Sequence, residues 1–138
     1  MTTPASTLIL PMATHVALAA LLYVLLTVAR APRVWGIGGS STGFAALVDI
    51  EARISANLSN QFEWPLFFHV ACLVFLARGE IDVIQLWFAW IFVAGRLAHS
   101  LVQILTSNIR LRGLVFTINF VAVLALWASV LMIESAQQ

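Results

Sequence analysis

Apolar residues are concentrated in four long segments of the chain, with shorter polar stretches between them. The segments cover about residues 8–29, 54–77, 81–106 and 110–133. As helices rising ~1.5 Å per residue, they are long enough to cross a ~30 Å hydrocarbon core. Their apolar runs are continuous rather than alternating, which is typical of helices and not of barrel strands. The pattern predicts an all-α fold, an integral membrane four-helix bundle, with one domain over residues 1–138.

The second segment belongs to a longer helix whose first half is polar. This helix is predicted to begin near Phe44 and to end near Ala77, which is too long to lie entirely in hydrocarbon. It is expected to start in the aqueous interface on the cytoplasmic side and then to enter the bilayer. Pro65 is expected to kink it, because proline removes a backbone donor and frees a carbonyl of the preceding turn.

Residues 30–43 connect the first two helices and are rich in glycine. The stretch superficially resembles a phosphate-binding loop, but no Lys follows it and no strand precedes it, so a flexible connector is favoured. The apolar run before it is longer than the ~7–15 residues of a signal-peptide core, and no Arg or Lys precedes that run. The first segment is therefore interpreted as a retained span.

The composition supports the membrane interpretation. Hydrophobic residues make up 62% of the 138 residues and charged residues 9%, whereas soluble domains have about 45–50% and about 25%. These values exclude a soluble globular domain and a disordered chain. Nucleic acid is not an expected partner, because there is no Lys and no basic stripe. The single Cys excludes an intrachain disulfide.

The arginines predict how the bundle is oriented. Arg30 and Arg33 lie in the first connection, and Arg110 and Arg112 lie in the third. Because positive charge favours the cytoplasmic side of a membrane, the first and third connections are expected to face the cytoplasm. Both termini are then expected on the opposite side. Arg110 is interpreted as an anchor for this topology and nothing more.

Polar side chains share one face of helix two. Ionisable and amide groups are costly inside a membrane, so each is a candidate for function. The face consists of Arg53, Asn57, Asn60 and Trp64, spaced i, i+4, i+7 and i+11, and Glu63 borders it.

Helix three carries a second polar face, formed by Arg96, His99 and Gln103 at i, i+3 and i+7. This helix returns toward the cytoplasm, so its Gln103 end is expected to meet Arg112 at the start of helix four. Helix two enters from the same side. The topology therefore predicts a polar cleft near the cytoplasmic leaflet, between helices two, three and four.

A purely structural interpretation of these residues is also open. Glu63 and Arg96 would then be a buried pair that holds the bundle, with Asn57 and Asn60 bonding between helices. His15 and His69 each lie alone on apolar faces and are interpreted as packing or interhelical bonding. No metal site is expected within the spans.

Three motifs resemble those of a known family. The segment Asn60-Gln61-Phe62-Glu63 resembles the Asn-x-x-Glu motif of the MAPEG proteins, the membrane-associated proteins in eicosanoid and glutathione metabolism. Arg96-x-x-His99, followed by Arg112 sixteen residues after Arg96, is similar to the spacing in the microsomal glutathione transferase and prostaglandin E synthase branch. The four-span layout agrees, and the resemblance covers nearly the whole chain.

The resemblance implies a homotrimer with a glutathione site at each subunit interface, near the cytoplasmic side. By position, Asn60 and Glu63 would contact the glutathione backbone and amino group, and Arg96 and His99 would support the site. Arg112 matches the arginine that stabilises the glutathione thiolate in the enzymatic members. A lipophilic substrate would enter from the bilayer.

The chain departs from the enzymatic pattern at several positions. Ala56 stands where an Arg is usual, four residues before the motif's Asn, and Arg53 is a candidate to replace it. Gln103 and Phe116 stand where aromatic hydroxyls are expected, and Gly113 replaces a polar residue. The chain thereby lacks one residue that binds a glutathione carboxylate and two hydroxyl groups.

Three functions are compatible with these features. The leading hypothesis is a bacterial-type glutathione-dependent transferase or peroxidase of the bacterial inner membrane. The second is a catalytically inert protein of the same fold that binds lipid or serves as a scaffold in a membrane complex. The third, a small transporter, is the weakest, because the charges cluster at one leaflet instead of the midplane.

Overall fold

The computed structural model describes residues 1–36 and 41–135, and the side chains within these ranges except those of 41–47. Five α-helices and a two-stranded ribbon make up most of the described chain. The helices are α1 (Ile9–Trp35), α2 (Ser41–Asn60), α3 (Pro65–Arg78), α4 (Val83–Leu105) and α5 (Ile109–Ser135), and the strands are β1 (Thr2–Pro4) and β2 (Glu80–Asp82). The all-α prediction is confirmed. Of the described helices, α1, α4 and α5 are long and apolar enough to cross a membrane.

The predicted second helix is two helices, so the expectation of one kinked helix is wrong. α2 ends at Asn60 and α3 begins at Pro65. The backbone between them turns tightly, with the Gln61 N–H donating to the Leu58 carbonyl at 3.0 Å. Pro65 occupies the first turn of α3, where a missing N–H costs nothing, and it cannot continue α2.

The other helix ends differ modestly from the predictions. α1 continues to Trp35, past the predicted end at residue 29, and contains Pro32. α2 begins at Ser41, so it covers part of the predicted connector. Of the glycine-rich stretch, residues 37–40 lie outside the described residues.

The β1 strand and the last turn of α5 lie at the same end of the bundle as the α3–α4 connection. β1 pairs antiparallel with β2, with Thr2 opposite Asp82. Arg78 at the end of α3 forms an ion pair with Glu134 near the end of α5. The α4–α5 connection is therefore at the opposite end of the bundle. This grouping agrees with the predicted topology, although the side that faces the cytoplasm stays a prediction.

The apolar core has two parts. The larger lies among α3, α4 and α5, where Phe68 and Phe92 stack with ring centroids 4.1 Å apart. The smaller joins α1 to α2 through Leu22 and Ile54. Many other large apolar side chains are exposed, as is expected of helices that face lipid or other subunits.

One glutamate fastens α1 to α2 near the end that carries the α4–α5 connection. Arg30 Nε lies 2.9 Å from Glu51 Oε1, and a guanidinium nitrogen of Arg33 lies 3.3 Å from the same oxygen. Glu51 itself is buried. Two cations that share one buried carboxylate hold α1 and α2 in register.

α4 and α5 pack tightly at Gly95. A Cβ added there would collide with the side-chain amide oxygen of Asn119, which is itself buried. Neither amide atom of Asn119 has a hydrogen-bond partner among the described residues. The absence of a side chain at Gly95 therefore makes room for a polar group at the helix seam.

Gly95→Ala is expected to lower the free energy of unfolding in detergent by about 1–3 kcal/mol, because it overpacks this seam. Asn119→Ala in the same chain should recover most of that loss by removing the atoms that collide. Thermal unfolding of both variants measures it.

Gly113→Ala is the matched control, because a Cβ there meets no atom within 4 Å. It should be neutral or stabilising, since alanine is the better helix former. Equal losses in Gly95→Ala and Gly113→Ala would contradict the steric explanation.

Candidate functional site

Two adjoining hollows form a cleft beside the first turns of α5. One has a volume of about 370 Å³ and is lined by Asn60, His99, Gln103, Arg112 and Phe116, together with Ile109 and Gly113. The other, also about 370 Å³, adds residues of α2 and of the α4–α5 connection, namely Ala52, Arg53, Ala56, Thr106 and Ser107. The hollows share Gln103, Ile109 and Arg112, and together they are called the Arg112 cleft. The predicted cleft between helices two, three and four is present, and these helices are α2, α4 and α5 of the structure.

Arg112 is positioned by the start of α5. Asn108 precedes the helix and accepts the Leu111 N–H on its side-chain oxygen at 3.1 Å, as an N-cap residue does. The Asn108 carbonyl accepts the Arg112 N–H at 3.1 Å. The Arg112 side chain is exposed and forms no ion pair or hydrogen bond with any described residue. Its guanidinium is therefore available to a ligand.

Gln103 holds α2 against α4. Its amide oxygen accepts hydrogen bonds from Asn57 at 3.0 Å and from Asn60 at 3.2 Å. Gln103 and Asn57 are buried. Because the Asn60 amide nitrogen points to Gln103, its amide oxygen is the atom left for a ligand. Gln103 therefore lines the cleft and also orients Asn60.

Gln61 is the centre of this network, and sequence reasoning did not select it. Its amide oxygen accepts from Arg96 Nε and from His15 Nε2, both at 3.1 Å. Its amide nitrogen donates to Asn57 at 3.0 Å and to Ser100 at 3.1 Å. One buried amide thus joins α1, α2 and α4. Its position inside the Asn-x-x-Glu motif was the available signal.

Arg96 supports the cleft from behind. It is 1% exposed, and its terminal nitrogen donates to the Asn60 backbone carbonyl at 2.8 Å. Glu63 is exposed and lies outside the residues that line the cleft, and no ion pair joins it to Arg96. The buried Glu63–Arg96 pair is therefore wrong. Carbonyl and amide oxygens satisfy this guanidinium in place of a carboxylate.

His99 brings an unpaired polar atom to the cleft. The residue is buried, and its Nδ1 has no hydrogen-bond partner among the described residues. Its ring lies 6.2 Å from that of Phe116, centroid to centroid. A buried nitrogen without a partner is expected to bond to water or to a ligand.

Arg53 and Ala56 line the second hollow. Arg53 forms an ion pair with Asp49 one turn away, at 3.0 Å, and is about one-third exposed. Such a pair is worth little near water, so it does not prevent the guanidinium from turning to an anion. The structure thus brings five of the predicted residues to the cleft, places Arg96 behind it, and leaves Glu63 outside.

His15 and His69 are not alone, although the interpretation as interhelical bonding is confirmed. His15 Nδ1 lies 3.1 Å from His69 Nε2, which joins α1 to α3. Within the described part of the chain, no group of three His, Cys, Asp or Glu side chains is arranged to hold a metal.

Spanning helices define this chain as a helical integral membrane protein, and an exposed arginine lines a cleft at one end of its bundle. The chain belongs to the MAPEG family, whose model matches residues 8–132. This confirms the family resemblance carried by Asn60, Glu63, Arg96, His99 and Arg112. Membership supports a glutathione-related transferase or isomerase type of membrane protein. Comparisons with curated proteins and with solved structures gave no match.

Gln61→Leu is expected to cost about 3 kcal/mol or more of unfolding free energy. The change leaves buried groups on Arg96, His15 and Asn57 without partners. Ser100→Ala, which removes only one of the four bonds, should cost about 1 kcal/mol. Thermal unfolding of both proteins in detergent measures the difference. If Gln61→Leu were as stable as Ser100→Ala, the network would not be the element that joins the helices.

Proposed function

We propose that this protein is a membrane-bound glutathione-dependent transferase or peroxidase that acts on a lipophilic electrophile. The observation that carries the proposal is the free guanidinium of Arg112 in a cleft that also holds Asn60, His99 and Gln103. Family membership supports the choice of glutathione as co-substrate.

Glutathione matches the groups that the cleft offers. Its carboxylates suit a guanidinium, which donates two parallel hydrogen bonds to such a group. Arg53 lines the second hollow and is the candidate for this contact. The free amide oxygen of Asn60 would accept an N–H of the tripeptide. Glu63 would receive the ammonium group, which requires it to reach the ligand from outside the cleft.

Arg112 would then act on the thiol. A free thiol has a pKa near 8.5 and is mostly protonated at neutral pH. A guanidinium beside the sulfur favours the thiolate and lowers that pKa. The thiolate would attack an electrophilic carbon, forming a C–S bond as the leaving group departs with its electron pair. With a hydroperoxide it would attack oxygen, breaking the O–O bond to release an alcohol, and a second glutathione would reduce the resulting sulfenic acid.

The assembly is part of the proposal. In a homotrimer with the cleft at each subunit interface, the exposed Glu63 and Arg112 would be available to a ligand held between two copies. The cleft would face the cytoplasm of a bacterial cell, where glutathione is dissolved, and the lipophilic substrate would arrive through the inner membrane.

One set of observations favours an alternative, a catalytically inert lipid-binding or scaffold subunit of the same fold. Ala56 and Phe116 line the cleft but offer no polar group. The amide oxygen of Gln103 is already bonded to Asn57 and Asn60. A protein of this kind would bind glutathione weakly or not at all and would purify with a fixed partner.

Arg112→Ala is expected to weaken glutathione binding and to lower thiol-dependent activity roughly 10²-fold, as the loss of one preorganised charge stabiliser does in other enzymes. Calorimetry on the detergent-purified protein measures binding, and conjugation of a lipophilic electrophile measures activity. Glu63→Gln should weaken binding if its carboxylate receives the ammonium.

Arg110→Ala is the matched control, because Arg110 lies two residues away, carries the same charge and does not line the cleft. It should bind and react like the wild type. Equal losses of binding and activity in the two Arg variants would show that the overall charge, and not the position of Arg112, causes the effect. No binding by the wild type would favour the inert alternative.

Ala56→Arg is expected to tighten glutathione binding about tenfold, because it adds a guanidinium that can bind a glutathione carboxylate in the second hollow, which has room for it. The same calorimetric titration measures it. Unchanged affinity would argue that the glutathione carboxylates lie elsewhere.

A further inference from the structure

A separate pocket lies between α1 and the start of α3. Its volume is about 450 Å³, within the ~300–1,000 Å³ typical of small-molecule sites. The lining is almost wholly apolar, including Ala20, Tyr23, Phe62 and Leu66, and His15, Gln61 and His69 supply its polar groups. It shares none of the residues that line the Arg112 cleft.

The pocket lies at the depth of the hydrocarbon core. His15 and Tyr23 are about 9 and 21 Å along α1 from Ile9, at ~1.5 Å per residue. Tyr23 and Leu66 are more than half exposed at its rim. An occupant would therefore enter from the lipid and would reach polar groups below the headgroups.

The hydrogen bonds define which polar atom the pocket offers. Arg96 only donates, so the Gln61 atom that faces it is the amide oxygen, and that oxygen also accepts from His15 Nε2. A neutral His15 whose Nε2 carries the proton has a lone pair on Nδ1. His69 Nε2 must then donate to it across 3.1 Å. This leaves His69 Nδ1 as a lone-pair acceptor that bonds to no described residue.

We propose that this pocket binds an uncharged single-chain amphiphile whose head is one O–H donor to His69, such as a long-chain alcohol. The apolar walls accommodate the chain, and Nδ1 accepts the hydroxyl. A charged or zwitterionic headgroup is excluded, because drawing it below the interface is costly. An apolar side chain from a second copy would fill the space but would leave Nδ1 unpaired.

The test uses dodecanol with a diazirine in its chain, and the methyl ether of the same molecule, added to the purified full-length protein in phosphatidylcholine vesicles. After irradiation, mass spectrometry measures labelling of the peptides that line the pocket. The alcohol should label roughly ten times more than the ether, the ratio expected for one hydrogen bond. His69→Phe should remove this preference.

Two further variants test the site without touching the histidine network. Ala20→Phe is expected to abolish labelling, because residue 20 lines the pocket and is exposed. Ala17→Phe, an exposed position on α1 outside the lining, should label like the wild type. Arg112→Ala should also label normally, so a failure of the glutathione proposal leaves this one standing.

Three results would overturn the proposal. The first is equal labelling of the wild type by the alcohol and the ether. The second is full labelling in Ala20→Phe. The third is an unlabelled wild type in which a second copy of the chain covers Tyr23 and Phe62 and so occupies the pocket.

Discussion

The amide of Gln61 is the interaction on which the rest of this structure depends. A polar group inside a membrane must find its partners within the protein, because neither water nor lipid supplies them. The break before Pro65 places this amide in a turn, where it meets three helices at once. Its oxygen takes two donors and its nitrogen serves two acceptors, so every bonding position is used. A network that is fully satisfied in this way stabilises one arrangement of the helices.

Arg96 determines which atoms of that network donate and which accept. A guanidinium has no acceptor, so each of its bonds orients the group that it meets. On one side, Arg96 donates to the backbone carbonyl of Asn60. The side-chain nitrogen of Asn60 donates to Gln103, which leaves the side-chain oxygen for the cleft. On the other side, Arg96 fixes the Gln61 amide and, through it, the proton positions of the histidine pair. One buried cation therefore bonds to residues that line two separate cavities, one near the end of the bundle and one deep in the apolar zone.

Much of this could be predicted from the sequence, and the failures have physical causes. Apolar segment length predicted the spanning helices α1, α4 and α5, but the second predicted span is shorter than expected, because α3 covers only Pro65–Arg78. Helical spacing brought Asn60, Gln103 and Arg112 together correctly. Gln61 was missed although it lies one helical turn after Asn57 and borders the polar face of helix two, because periodicity does not show the break after Asn60 at which its amide also meets α1 and α4. The Glu63–Arg96 pair was wrong because opposite charges were matched without regard to depth. A carboxylate near water gains less from a buried guanidinium than it loses by entering the membrane.

The contrast between Arg96 and Arg112 explains why only one of them suits the proposed chemistry. Arg96 already bonds to protein oxygens on both of its sides, so it has little left to give a thiolate. Arg112 is exposed at a helix end, where an unpaired charge costs little, and it lines the same hollow as His99, whose Nδ1 has no partner among the described residues. A ligand that binds there meets a cation that has no partner among the described residues to give up. The buried Arg96 thus organises the bundle, and the exposed Arg112 is left to bind an anion.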